Sequence, residues 1–394
     1  MRREVAIAGI GQSEFSKASP YPAWELALQA ILGALADAGV EGSEVDGMCR
    51  FAPPFEPVSE PMVVRGLGIR ELSFFAESPL GGEALGAVIA HAAAAVSTGL
   101  ANVVVVYRAL KQSGGARFGR ADQGPAGSAA TGEHVLVPED ENRSFAWPYG
   151  LLSPGQLFAL WAARYQYVHG LREEDLARAL GSVAIQQRRY ANENPAALMR
   201  DRVLDWDTYL GARMISRPLR LFDLCLENDG ACALVLTSAR RARALREDPV
   251  YVLSATQTLA PYREPMGLYT DDLLESFPPA AAERLYRTAG VGPRDIDFAE
   301  LYDATSFMTV KGLESYGFVP EGSGWKHVTE AGIGPDSPLP VNTHGGHLSE
   351  GYLHGMNGVT EAVRQLRGTA VNQLRDPEVA LVGAPSGSAM ILSR

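Results

Sequence analysis

Cysteine is scarce: Cys49, Cys225 and Cys232 are the only three in a chain of 394 residues. So few cannot staple a fold of this length, and no two of them have metal-ligand spacing. Basic charge is also short, with 35 Lys and Arg against 46 Asp and Glu and a net charge of −11. General nucleic-acid binding needs a broad basic surface and is excluded, although a local basic pocket for an anionic group is not. No apolar run approaches the ~18 residues of a membrane helix, so no span is expected. The opening MRREVAIAGIGQSEF begins basic, but its apolar stretch is short, broken by glycine and without a cleavage signature. It reads as a first strand, and the expected location is the cytoplasm.

What is present is ordinary globular composition, 46% hydrophobic and 21% charged, over a length that favours two domains or a fused pair. EVAIAGIG reads as a strand, and Trp24 to Ala38 as an amphipathic helix stopped by Gly39. Gly81 to Val96 is an Ala-rich helix, ended by Gly99 before the buried strand NVVVVYRA. Gly358 to Leu366 is helical and precedes the strand EVALVGA. Such alternation predicts an α/β protein with parallel sheets covered by helices.

An internal repeat organises the chain. LADAGVEGSEVD from Leu35 matches YRTAGVGPRDID from Tyr286, so that Ala38-Gly39-Val40 falls on Ala289-Gly290-Val291 at an offset of 251. Val45-Asp46 falls on Ile296-Asp297 at the same offset. Strands EVAIAGIG and PVYVLSAT stand upstream of the two copies. The expected halves are residues 1–111 with 220–248, and residues 249–394; an insertion occupies 112–219. It opens on the polar QSGGARFGRADQGPAGSAATGEH, a lid or partner surface by its length. Two probable helices follow, PGQLFALWAARYQYV and EEDLARALGSVAIQQRRYA.

The strings RYQYVHGLREEDLA, ANENPAALMRD, SRPLRLFDLCLENDGACALVLTS, AELYDATSF and NTHGGHLSEGYLHGMNG, in this order, resemble the thiolase superfamily over essentially the whole chain. The nearest branch is that of the sterol-carrier-protein-type and lipid-transfer-protein-like thiolases. The resemblance implies two tandem βαβαβ halves in a five-layered αβαβα sandwich, usually dimeric.

Ordinary thiolases use a nucleophilic Cys at a helix N-terminus, where the helix dipole favours thiolate. The matching string SPLGGEAL puts Ser78 there, with no adjacent base, so a structural or capping role is expected for it. The second catalytic Cys is missing from ALVGAPSGSAM. The oxyanion-stabilising His or Asn position holds Tyr302 in ELYD, with Asp303 beside it. The Gly-His-Pro position reads Gly351-Tyr352, and His354 falls two places later. Cysteine-based acyl transfer is excluded on these grounds, and Cys225 and Cys232 read as small buried apolar groups.

Two tyrosines at two catalytic positions suit aldol rather than Claisen chemistry, because splitting a β-hydroxyacyl-CoA needs a base and an acid but no acyl-enzyme. The resemblance extends to actinobacterial steroid side-chain-cleaving aldolases. It implies cleavage of 17-hydroxy-3-oxo-pregnene-20-carboxyl-CoA to androstenedione and propionyl-CoA. Tyr302 and Tyr352 are the candidate acid and base, in either order, with Asp303, His344 and His347 in support. Coenzyme A enters as part of the substrate; no covalently bound cofactor is expected, and a metal site at His344, His347 and Asp303 is rejected as too scattered. Lys111, Arg117 and Arg120 could meet CoA phosphates but read first as a solvated loop. The family implies a homodimer and a small partner with an OB-fold and a zinc-ribbon-like segment. Two readings compete: a degenerate thiolase-like acyl-CoA-binding or assembly subunit, and a thiolase using Ser78 as nucleophile.

Overall fold

The computed structural model describes residues 3–51, 58–78, 81–82, 85–113, 147–258, 272–277 and 279–394. Most of the polar opening of the insertion, with Arg117 and Arg120, lies outside them. The strands are β1 (Val5–Gln12), β2 (Gly47–Phe51), β3 (Phe74–Ser78), β4 (Val103–Leu110), β5 (Met214–Ser216), β6 (Leu219–Arg220), β7 (Gly230–Ser238), β8 (Val250–Thr256), β9 (Phe298–Leu301), β10 (Val379–Gly383) and β11 (Ala389–Ser393). β5 and β6 make a small hairpin, and the others join in the order β3-β2-β4-β7-β1-β8-β11-β10-β9.

The sheet is mixed, where the alternation of elements predicts a parallel one. β2 runs parallel to β3 and β4, and β9 to β10. β7 and β11 return antiparallel to their neighbours. β11 follows β10 through a short turn, and a tight connection can only join antiparallel strands. β7 is delivered by the insertion.

The two halves repeat one design. β2-β4-β7-β1 in the first corresponds to β9-β10-β11-β8 in the second, with β3 as an extra edge strand. Gly39 and Gly290 both close their helices in left-handed backbone, at φ 66° and 69°. Asp46 accepts from the N–H of Val103 at 2.8 Å, at the start of β4. Its counterpart Asp297 accepts from the N–H of Val379 at 2.9 Å, at the start of β10. The sequence repeat is therefore a repeat of anchoring chemistry.

Five layers result. The helix Ala23–Ala38 covers the first half's strands from outside, and Pro279–Ala289 covers β8 and β11. Between the sheets lie Leu85–Thr98 and Met356–Arg367, each touching strands of both halves. Gly9 and Gly11 allow the outer helix to sit directly on β1, since a Cβ on either would fall 2.0 Å from a carbonyl oxygen of that helix. The sheets of the two halves meet through only a short β1–β8 pairing, Ala6 with Tyr251 and Ile7 with Val250.

The insertion's helices, Pro154–Val168 and Glu173–Glu193, pack on the second half. Asn194, which caps the longer one, donates its side-chain amide to the His344 carbonyl at 2.9 Å and to Glu350 at 3.1 Å. Arg188 Nε donates to Ser349 Oγ at 2.9 Å. This cap thereby fixes the turn 342–350, which carries the candidate histidines.

Candidate active site

β9 ends at Leu301, and Tyr302 leaves it with its N–H still bonded to the Gly383 carbonyl at 2.9 Å. Tyr352 arrives from a loop 50 residues later, and its backbone is clamped by one side chain. Asn228 Oδ1 accepts from the Tyr352 N–H at 2.7 Å, and Asn228 Nδ2 donates to its carbonyl at 3.4 Å. The two phenol oxygens meet at 2.8 Å, with both residues only 6% exposed. Both phenols are pushed up by burial, but not equally. Proximity to Tyr352 and the bond with it raise Tyr302 further, whereas that bond and the charge of Arg108 work in the opposite direction on Tyr352.

His347 stands edge-on to both phenols, with ring centroids at 5.1 and 5.2 Å. Its Nδ1 lies 2.9 Å from Asp303 Oδ1 and its Nε2 3.1 Å from Asn357 Oδ1. Asn357 spends its amide nitrogen on Glu350 at 2.8 Å and on the Gly351 carbonyl at 2.9 Å, so the atom facing His347 is an acceptor. His347 therefore carries a proton on Nε2. The turn is possible only with glycine: Gly346 has φ 62°, and a Cβ there would fall 2.3 Å from Asp303 Oδ2.

His344 does not reach the tyrosines in this way. It is buried in a second cluster, Nδ1 2.8 Å from Glu300 and Nε2 3.6 Å from Glu350. Burial opposes a charge on it, yet Glu350 and Glu300 raise it to about 10. His344 lies beneath the site, linked to His347 through Glu350 and Asn357. Among the described residues no group of three or more His, Cys, Asp or Glu is arranged to hold a metal ion.

Ser78 is the last residue of β3, paired with Phe51, and the next described helix is Leu85–Thr98. The residues immediately before that helix lie outside the described ones, and with them the capping role expected for Ser78. The Gly81-Gly82 backbone takes the place beside the chemistry instead. A Cβ on Gly82 would fall 2.1 Å from the Tyr302 ring, and one on Gly81 3.1 Å from His354 Nε2. Lys111 is bonded to Asp229 at 2.8 Å and anchors the chain there.

His354, two places beyond the motif position in sequence, joins the site: its ring lies edge-on to Tyr352 at 5.0 Å, and its backbone is in the left-handed region at φ 53°. Other neighbours were not assigned to the site from sequence. Arg108 Nε donates to His354 Nδ1 at 2.8 Å. Cys225 is close enough to raise both phenols, while burial, then Asp303 and Glu227, push its own thiol up. Arg108 carried a readable signal, a cation inside the apolar run VVVVYRAL. Asn228 and Asn357 carried none, since their roles depend on contacts across more than a hundred residues or across a loop. A groove of about 680 Å³ between the cap helices and the β5–β6 hairpin contains none of these residues.

Residues 268–393 match the family described as thiolase C-terminal domain-like. The chain is 39% identical to the 17-hydroxy-3-oxo-4-pregnene-20-carboxyl-CoA lyase of Mycobacterium tuberculosis, over 98% of this chain and 97% of that one. It is 38% identical to the steroid side-chain-cleaving aldolase of Thermomonospora curvata, over 97% of this chain and 95% of that one. A solved structure of the Ltp2-ChsH2(DUF35) aldolase superposes with a TM-score of 0.90 at 36% identity, covering 100% of this chain and 98% of that one. With its duplicated five-layer fold, and with two phenols of its second half in contact beside Gly82 and Asn228 of the first, the chain belongs to the thiolase-fold family, in the branch that holds the steroid side-chain-cleaving aldolases.

Proposed function

We propose that this protein is a lyase that cleaves a β-hydroxyacyl-CoA by a retro-aldol reaction, and that the 2.8 Å contact between the Tyr302 and Tyr352 hydroxyls carries the chemistry. One phenolate oxygen takes the proton of the substrate's tertiary hydroxyl. The O–H electron pair becomes the ketone π bond, the adjacent carbon–carbon bond breaks, and its electrons pass to the α-carbon as the CoA enolate. The second phenol then protonates that carbon. No thiol is required, and the thiols of Cys49, Cys225 and Cys232 are all held high by burial. His347, oriented by Asp303 and Asn357, supports the pair; His344 acts only through the polar cluster beneath.

The substrate is a steroid acyl-CoA, 17-hydroxy-3-oxo-pregnene-20-carboxyl-CoA, and the products are androstenedione and propionyl-CoA. The names of the two relatives support this reading. The protein works in the cytoplasm as a homodimer, with a small OB-fold and zinc-ribbon-like partner. A relative solved as an Ltp2-ChsH2(DUF35) aldolase supports the partner. Residues 112–219 form a cap inserted into the first half, 1–111 with 220–248, ahead of the second half, 249–394.

The test is direct assay of the purified chain on a tertiary β-hydroxyacyl-CoA, with and without such a partner. Tyr302→Phe and Tyr352→Phe should each lower kcat by about 10²–10⁴ without unfolding the protein. Full cleavage by the folded double variant would overturn the mechanism. Acylated protein after exposure to acyl-CoA would point instead to Ser78.

A further inference from the structure

β4 is buried along its whole length, and Arg108 near its end is 1% exposed. A guanidinium in such a place is expensive to desolvate and is retained where its charge is used. Burial pulls Arg108 down to about 9, which leaves it charged at neutral pH. Its Nε–H points at His354 Nδ1 from 2.8 Å, so the His354 proton resides on Nε2. Burial and this cation keep His354 neutral, well below the ordinary histidine value. His354 is held in left-handed backbone, a conformation that a non-glycine residue adopts only where its surroundings enforce it. Its ring packs edge-on against Tyr352 at 5.0 Å and is stacked on Phe51 at 6.2 Å. Arg108, His354 and Tyr352 therefore form a row that ends at the Tyr302 hydroxyl.

We propose that Arg108 is the positioning residue that divides the roles of the two tyrosines: seated behind His354, it makes Tyr352 the base and Tyr302 the proton donor to carbon. This rests on the retro-aldol reading. The Tyr352 phenolate takes the proton of the tertiary hydroxyl, the carbon–carbon bond breaks towards the α-carbon, and Tyr302 gives its proton to that carbon. The proton now on Tyr352 crosses the 2.8 Å contact to the Tyr302 oxygen, and the starting state returns. Protons and electrons balance without any outside donor.

Among the described residues, the groups that act on Tyr352 include Tyr302 and Asp303 after β9, Cys225 ahead of β7, Arg108 on β4, His347 on its turn, and His354 on Tyr352's own loop. Cys225 and Asp303 oppose a Tyr352 phenolate, whereas Arg108 favours it. Removing the cation must therefore move ionisation of the pair to higher pH.

The experiment is a pH profile of kcat for wild type, Arg108→Met and Arg108→Lys, alongside ultraviolet titration of the phenols in the same proteins. Arg108→Met should shift the rising limb upward by about one to three pH units, so that the loss at neutral pH is regained at alkaline pH. Arg108→Lys should keep most of the limb position, because it keeps the charge, and lose rate through the missing Nε donor. Read as the difference between each variant and wild type, the absorbance titration should show the lower of the two active-site ionisations lost in Tyr352→Phe and retained in Tyr302→Phe. A loss in Arg108→Met that is the same at every pH would overturn the proposal, as would survival of the lower active-site ionisation in Tyr352→Phe. Should Arg108→Met not fold, the Arg108→Lys profile and the two tyrosine titrations decide alone. Absence of cleavage by the wild type, with the partner as well as without it, would refute the retro-aldol reading, while the titration would still report which phenol Arg108 favours.

Discussion

A phenol in an apolar cavity resists ionisation, and Tyr302 and Tyr352 meet that difficulty by sharing one hydrogen bond under the field of a buried arginine. Cys225 lies near enough to feel both phenols yet has no place in the proton cycle. Cys225→Ala should keep kcat within about threefold of wild type, whereas a larger loss in a protein of unchanged melting temperature would bring sulfur back into the mechanism. Thiol alkylation is a poorer probe, because a bulky adduct on Cys225 would crowd the tyrosines whatever their chemistry. The two tyrosines, Asp303 and His347 were legible from sequence because they occupy motif positions in short strings. Arg108 was legible in principle as a charge in an apolar strand. Asn228 was not, since an Asn in LENDG looks like turn chemistry until the fold lays it against Tyr352.

Among elements, the short turns at the starts of β2 and β9 each tie a neighbouring parallel strand in place through one carboxylate. Asp46 receives the N–H groups of Asn102 and Val103 and the Asn102 amide. Asp297 receives those of Glu378 and Val379. Asp46→Ala and Asp297→Ala should each destabilise by about 2 kcal/mol, the first slightly more for its extra side-chain bond, as read by urea unfolding. Strands β1, β4, β8 and β10 and five of the longer helices could be placed from apolar spacing and closing glycines. The directions of β7 and β11 could not, because strand direction follows from how the intervening chain returns and not from the strand's own residues.

At the scale of the whole molecule, Asp37 at the end of the first half's outer helix reaches across to Arg367 of the second half at 2.7 Å and to Arg246 at 3.2 Å. Burial alone would raise the Asp37 carboxyl, but Arg367, the Ile10 N–H and Arg246 hold it below its ordinary value. A carboxyl depressed in the folded state adds stability above its unfolded pKa of about 3.9 and loses it as pH falls through the folded value. Asp37→Asn should therefore lower the melting temperature at neutral pH, with the gap to wild type narrowing in acid, below the ordinary aspartate range. A gap of equal size at both would show that the contact works by packing rather than charge. The β1–β8 contact that unites the sheets spans just two residue pairs. Both phenols belong to the second half, yet the first half supplies Asn228, which clamps the Tyr352 backbone, and Gly82, which gives the Tyr302 ring its room. The proposed acid–base pair therefore depends on how the two duplicates dock, and a second half folded by itself would lack the partners that hold its tyrosines.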